Sequence, residues 1–231
     1  MRNPFKYLKT SPEIIRLAMM MYVRFPLPLR SVEDPLHERG IDITHETVRF
    51  WWNRFGPMFA AQIRKKRVAD NNYSKWAGHL DEVFVKINGE LHYLWGAVDH
   101  EGEVLEAYVT KRRDRKAALR FLHRTMKRYG NPQVVATDRL KSYMTAMKMI
   151  GSAGRQATGR WLNNRAENSH LPFRRKERVM GKFLSFVTLQ KFVSIQSSIH
   201  NLFNHQPHLN RREVFKENRE FAMSEWRLIV A

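Results

Sequence analysis

Asn88-Gly89 is the strongest local constraint in this 231-residue chain. Both residue types accept the positive φ of a two-residue hairpin loop. They separate two β-rich runs, 80–87 and 91–98, and a second turn at Glu101-Gly102 leads into a third, 104–109. Three consecutive antiparallel strands are therefore expected. Asp114 can cap a helix with Ala117, Ala118, Phe121, Leu122, Met126 and Tyr129 on one face, ended by Gly130 and Pro132. A fourth strand, 133–137, runs straight into Asp138, and a helix over 140–150 follows. A Gly-rich turn then leads to the polar segment Asn163-Asn164-Arg165-Ala166-Glu167-Asn168, which opens another helix. The class expected is α/β (α+β).

Before residue 76 the apolar spacing is helical throughout. Ser11, Pro12 and Glu13 read as N-cap, first-turn proline and dipole-matching acid, ahead of Ile14, Leu17, Ala18 and Met21 on one face. Ser31 is placed to cap a short second helix closing at Gly40. Thr44 is placed to cap a third carrying Val48, Trp51, Trp52 and Phe55, which Gly56-Pro57 should interrupt before a basic helix over 62–67. Two short helices joined through 40–43 have helix-turn-helix spacing, with His45, Glu46, Arg49 and Asn53 exposed for base reading. A plain helical hairpin fits the same spacing.

Charge separates those alternatives. Lys and Arg total 41 against 22 acids, a formal +19, which favours a polyanionic partner, while 43% apolar and 12% aromatic residues argue for a folded chain. Double-stranded DNA is the expected partner. No cysteine is present, which excludes disulfides and thiolate metal sites. His200, His205 and His208 lack the spacing of a zinc motif. The longest apolar run, 17–23, is too short to span a bilayer, and the N-terminus lacks a secretory pattern, so a cytoplasmic protein held at the nucleoid by DNA is expected.

Charge is steepest after Asn168. Arg174, Arg175, Lys176, Arg178 and Lys182 interleave with Phe173, Phe183 and Phe186, a mixture suited to phosphate and base contact. Leu189, Phe192, Val193, Gln196, Ile199 and Phe203 mark a further amphipathic helix, and Phe221 with Trp226 is expected to anchor the last one.

Three carboxylates stand out by placement. Asp81 lies in a strand between apolar neighbours, Asp138 at a strand exit, and Glu167 in the first turns of a late helix. A strand acid is costly unless paired or metal-bound. Converging carboxylates need cations between them, and oxygen ligands suit Mg2+ or Mn2+. Two such ions ~3.5 to 4 Å apart serve phosphoryl transfer. Glu82 falls on the opposite strand face from Asp81 and reads as a surface or supporting residue. Asp99 reads as a solvated turn acid.

The ordered set of Asp81-Glu82, Tyr93-Leu94-Trp95-Gly96-Ala97-Val98-Asp99, Thr137-Asp138-Arg139 and Asn163-Asn164-Arg165-Ala166-Glu167-Asn168 resembles the DDE transposases of bacterial insertion sequences. Within them it is most similar to the compact insertion-sequence six family of the retroviral-integrase-like superfamily. The resemblance implies a ribonuclease-H-like core with a mixed sheet, and two Mg2+ (or Mn2+) ions on Asp81, Asp138 and Glu167. The implied reaction joins DNA 3′ ends to target DNA, by a homo-oligomer of at least two copies. Arg174 matches the basic residue two turns beyond the glutamate on the same helix face. The organisation expected is a helix-turn-helix module at 1–72, a catalytic core at 73–206 and a C-terminal helix at 207–231. DNA-contact candidates are His45, Arg49, Asn53, Arg174, Arg175, Lys176 and Lys182. Gly96 in place of a frequent arginine, and the short interval from Asp138 to Glu167, keep a decayed copy or a non-catalytic DNA-binding protein open. A nuclease without strand transfer is a third reading.

Overall fold

The computed structural model describes residues 4–70, 77–100, 102–138, 140–159, 164–181, 183–204 and 210–229. The boundaries expected at 72/73 and 206/207 lie outside the described residues. Three helices open the chain: α1 (Pro12–Arg24), α2 (Arg30–His37) and α3 (His45–Asp70). Strands β1 (Ala77–Ile87), β2 (Glu90–Val98) and β3 (Val104–Thr110) form the expected meander, with Asn88 at φ 49° and Gly89 at φ 84° in the first hairpin. Then come α4 (Arg115–Tyr129), β4 (Val134–Thr137), α5 (Lys141–Met149), β5 (Gln156–Thr158), α6 (Asn164–Ser169), α7 (Leu171–Met180), α8 (Phe186–Phe203) and α9 (Arg212–Leu228).

The sheet order is β3-β2-β1-β4-β5. β1 to β3 pair antiparallel, whereas β4 runs parallel to β1 and β5 parallel to β4. That mixed order, with helices on both faces, is the ribonuclease-H-like arrangement. One face buries Leu80, Trp95, Ala97 and Val135 against Phe121 and Leu122 of α4 and Tyr143 and Met147 of α5. The other buries Val85, Ile87, Leu94 and Val109 against α8 and, beyond it, Trp52, Phe55 and Phe59 of α3. One apolar cluster thus joins the opening helices to the sheet.

Several local expectations are corrected. Ser31 lies inside α2, whose N-cap position is Leu29. α3 runs through Gly56-Pro57 without a break. Pro57 has no N–H for the Asn53 carbonyl one turn back, and Lys191 Nζ from α8 supplies the missing donor at 3.1 Å. Gly56 lets the helices touch, since a Cβ there would stand 3.1 Å from Ile195 Cδ1. β5 has no signal in the sequence: three residues carry no period, and only pairing with β4 makes them a strand. Phe221 is 61% exposed, leaving Trp226 and Ala222 as the buried anchors of α9. Asp99 is buried and paired with Arg67 at 3.0 Å. Among the described residues no helix is long and apolar enough to cross a membrane.

Candidate active site

β4 is shorter than β1. It pairs with Ala77 to Leu80 only, so at Asp81 the β1 edge loses its strand partner and opens beside Asp138. Asp81 points to the face covered by α6 and α7, Glu82 to the face covered by α4 and α5. Both flank the opening, and one carboxylate oxygen each from Asp81, Glu82 and Asp138 lies within 4.8 Å of the others. Asp138 is held by its position: Oδ1 accepts the Leu140 N–H at 3.0 Å. The buried Thr137 hydroxyl before it accepts a hydrogen bond from Gln156 Nε2 at 2.8 Å.

Of the two sequence expectations for Glu82, the surface one is corrected. Alternation assigns its face correctly, but that face is covered, and its side chain is 3% exposed. Arg113, at the entry to α4, pairs with Glu82 Oε1 and lies 3.7 Å from Asp138 Oδ2. Burial pushes the Glu82 carboxyl up to about 7, with the Asp138 charge adding to the rise and Arg113 opposing it. Glu82 Oε2 has no hydrogen-bond partner among the described residues. The buried Tyr143 hydroxyl faces this carboxylate; burial first, and the surrounding carboxylates after it, push the phenol well above its usual range.

His170 is a residue that sequence reasoning missed. It occupies the break between α6 and α7, with Nε2 3.5 Å from Asp81 Oδ2. Pro172 lacks the N–H that would carry α6 onward, so the chain restarts as α7 with the proline in its first turn. Glu167 and Arg174 therefore stand on two helices, in place of the single helix expected. α6 carries Glu167 and packs on β1 and β2; the Glu167 side chain lies outside the described residues, as do Arg139, Asn163 and Lys182.

The DNA-contact candidates divide. Arg175 is exposed. Arg174 pairs with Glu177 at 2.6 Å and donates to the Phe84 carbonyl. Lys176 is a correction: it is 1% exposed, and its ammonium donates to the Tyr22, Phe25 and Leu27 carbonyls at the end of α1 while standing 3.8 Å over the Tyr22 ring. Phe173 and Phe183 stack on each other in the core, so they offer no platform for bases. In the opening helices, His45 Nδ1 meets Glu33 at 2.8 Å and Arg49 meets Glu46 at 2.9 Å. Asn53 is exposed, and its Oδ1 accepts from Lys191 Nζ of α8 at 3.0 Å.

The donor set fits a hard divalent cation, being all carboxylate, with a buried oxygen left unpartnered. Comparison with known proteins settles the family. Residues 75–206 match the family described as a DDE domain, that of IS240-type transposases. The chain belongs to the DDE transposases. This transposase is 34% identical over 173 residues to the transposase for insertion sequence-like element IS431mec of Staphylococcus aureus strain Mu50, covering 73% of this chain and 75% of that one. It is 33% identical, with the same coverage, to the transposase for insertion sequence element IS257 in transposon Tn4003 of S. aureus. A simian T-cell lymphotropic virus intasome structure overlays with TM-score 0.42 and 16% identity, covering 58% of this chain and 51% of that one. The Mos1 strand transfer complex overlays with TM-score 0.39 and 9% identity, covering 97% and 78%. Membership makes the transposase an enzyme acting on DNA and dependent on divalent metal.

Proposed function

We propose that this transposase cuts the ends of its own insertion sequence and joins the freed 3′ ends to target DNA, with Asp81, Asp138 and Glu167 holding two Mg2+ ions. The observation that carries this reading is the convergence of Asp81 and Asp138 at the open edge of β1 in a chain with a DDE domain. Bound there, two divalent ions would activate the attacking oxygen and stabilise the leaving one at phosphorus. The chain's own residues supply position. Asp138 is fixed by the Leu140 N–H and Asp81 is flanked by His170. Glu82 serves as a buried supporting carboxylate, with Arg113 as its counter-charge.

Residues 1–72 read the terminal repeats through His45 and Arg49 on the first turns of α3, while Arg174, Arg175 and Lys182 contact phosphates. Each element end needs its own carboxylate cluster, so at least two copies act together on DNA. The test is an end-bearing duplex incubated with Mg2+. Wild type cuts and joins it, and Asp81→Asn or Asp138→Asn binds the duplex but gives neither product. Cutting by either variant at the wild-type rate contradicts the assignment.

A further inference from the structure

Helix α4 carries a cationic ridge that starts beside the carboxylate cluster at Arg113 and ends near α3, where Arg124 and Arg128 line one cavity with Arg64 and Arg67. Its residues include Arg115, Lys116, Arg120, Arg124, Lys127 and Arg128 together with His123, and no acid. Ala117, Ala118, Phe121, Leu122, Thr125 and Tyr129 form the buried face. At 100° per residue Lys116, Arg120, His123 and Lys127 fall in one narrow stripe opposite that face, and all four are exposed. Arg124 and Arg128 lie to one side and are engaged by Glu106 at 3.3 and 2.7 Å. Lys116, Arg120 and Lys127 have no ion pair among the described residues, and the Arg120 guanidinium meets only the Lys116 carbonyl at 3.4 Å.

An ordinary solvated helix in the same protein looks different. α9 mixes Arg212, Lys216, Arg219 and Arg227 with Glu213, Glu217, Glu220 and Glu225. Uncompensated charge on α4 adds self-repulsion and contributes nothing to packing, so it points to an anionic partner. The stripe runs about 16 Å at 1.5 Å per residue, close to five steps of 3.4 Å along a DNA strand. At its upstream end stand Arg112, exposed, and Arg113, which touches the carboxylate cluster. α4 packs on the sheet face opposite the core of α1 to α3, and the stripe of Lys116, Arg120, His123 and Lys127 points away from the Arg124–Arg128 side that meets the end of α3.

From this placement we infer that the α4 ridge binds the backbone of a second duplex, the target DNA, and leads it to the carboxylates while the opening helices hold the element end. The inference rests on the joining reaction proposed above. Its contacts are to phosphate, so they are indifferent to sequence and strongly salt-dependent.

The test uses the full chain and a random-sequence 40-base-pair duplex. For the combined variant Lys116→Gln, Arg120→Gln, Lys127→Gln, the log–log salt slope of binding becomes shallower by about 2 to 3, at ~0.9 for each phosphate that is no longer neutralised. The charge-preserving set Lys116→Arg, Arg120→Lys, Lys127→Arg keeps the wild-type slope, and so does the α9 set Arg212→Gln, Lys216→Gln, Arg219→Gln. An unchanged slope in the α4 glutamine variant, with its melting temperature intact, overturns the inference, as does equal flattening by the α9 set. Failure of the underlying reading would look different: the wild type itself would show no Mg2+-dependent cutting of an end-bearing duplex.

Discussion

His170 and Asp81 meet across the β1–β2 pair, with Nε2 3.5 Å from Oδ2, and the ring lies over Gly96, the residue directly paired with Asp81. A Cβ at position 96 would stand 2.8 Å from His170 Cε1. The ring therefore depends on that glycine for its seat beside the carboxylate.

Removing it should loosen Asp81. His170→Ala is expected to raise the Mn2+ concentration for half-maximal cutting by about 10- to 100-fold, the usual scale for partners of ligating groups. Gly96→Ala should act in the same direction by displacing the ring. In the His170→Ala background the added methyl has room and should cost less than about twofold, a non-additivity that a double-mutant cycle reads directly. Additive effects would separate the two residues.

Lys176 and Arg175 are neighbours with opposite expectations. Burial pulls the Lys176 ammonium down to about 7, while the three carbonyls and the Tyr22 ring favour its charged form. Lys176→Met leaves those carbonyls without a donor and should cost about 2 to 4 kcal/mol, a fall in Tm of roughly 5 to 15 °C. Its salt slope for DNA binding should match the wild type. Arg175→Ala should leave Tm unchanged and flatten the slope by ~0.9. Calorimetry and salt titration of both variants check the contrast.

Much of this is legible in the sequence where the signal is local. Asn88-Gly89 sets the first hairpin, the Asp114 cap starts α4, and a carboxylate in an apolar strand or at a strand exit marks Asp81 and Asp138. What escapes is set by partners distant in the chain. Alternation places Glu82 on its face but not beneath Arg113 and Tyr143, and a basic run cannot show that Lys176 ends on the carbonyls of α1. Gly56-Pro57 reads as a stop until Lys191 supplies the donor that the proline lacks. His170 becomes a neighbour of Asp81 only through the helix break in which it sits.

His200 on α8 provides a pH test away from the carboxylates. Burial holds its imidazole down at about 4, against 6.5 for the free side chain. The unfolded chain therefore takes up a proton between those values that the folded chain refuses. Stability is full above pH 6.5 and falls as pH drops toward 4, by less than about 3 kcal/mol because the half-buried ring keeps some contact with water. His200→Gln should flatten this part of the profile, seen as a smaller shift of the urea midpoint between pH 7 and pH 5.

The third carboxylate is the central point, since Glu82 stands beside Asp81 and Asp138 while Glu167 is assigned by its place on α6. Strand transfer with Mg2+, measured for Glu167→Gln and Glu82→Gln beside a gel shift on the same end-bearing duplex, decides it. Both variants should bind like the wild type. Glu167→Gln should give no joined product, a loss beyond the ~10²- to 10⁴-fold of a single general acid or base, whereas Glu82→Gln should retain turnover within about tenfold. Full joining by Glu167→Gln, with none by Glu82→Gln, would contradict the assignment and make Glu82 the third ligand.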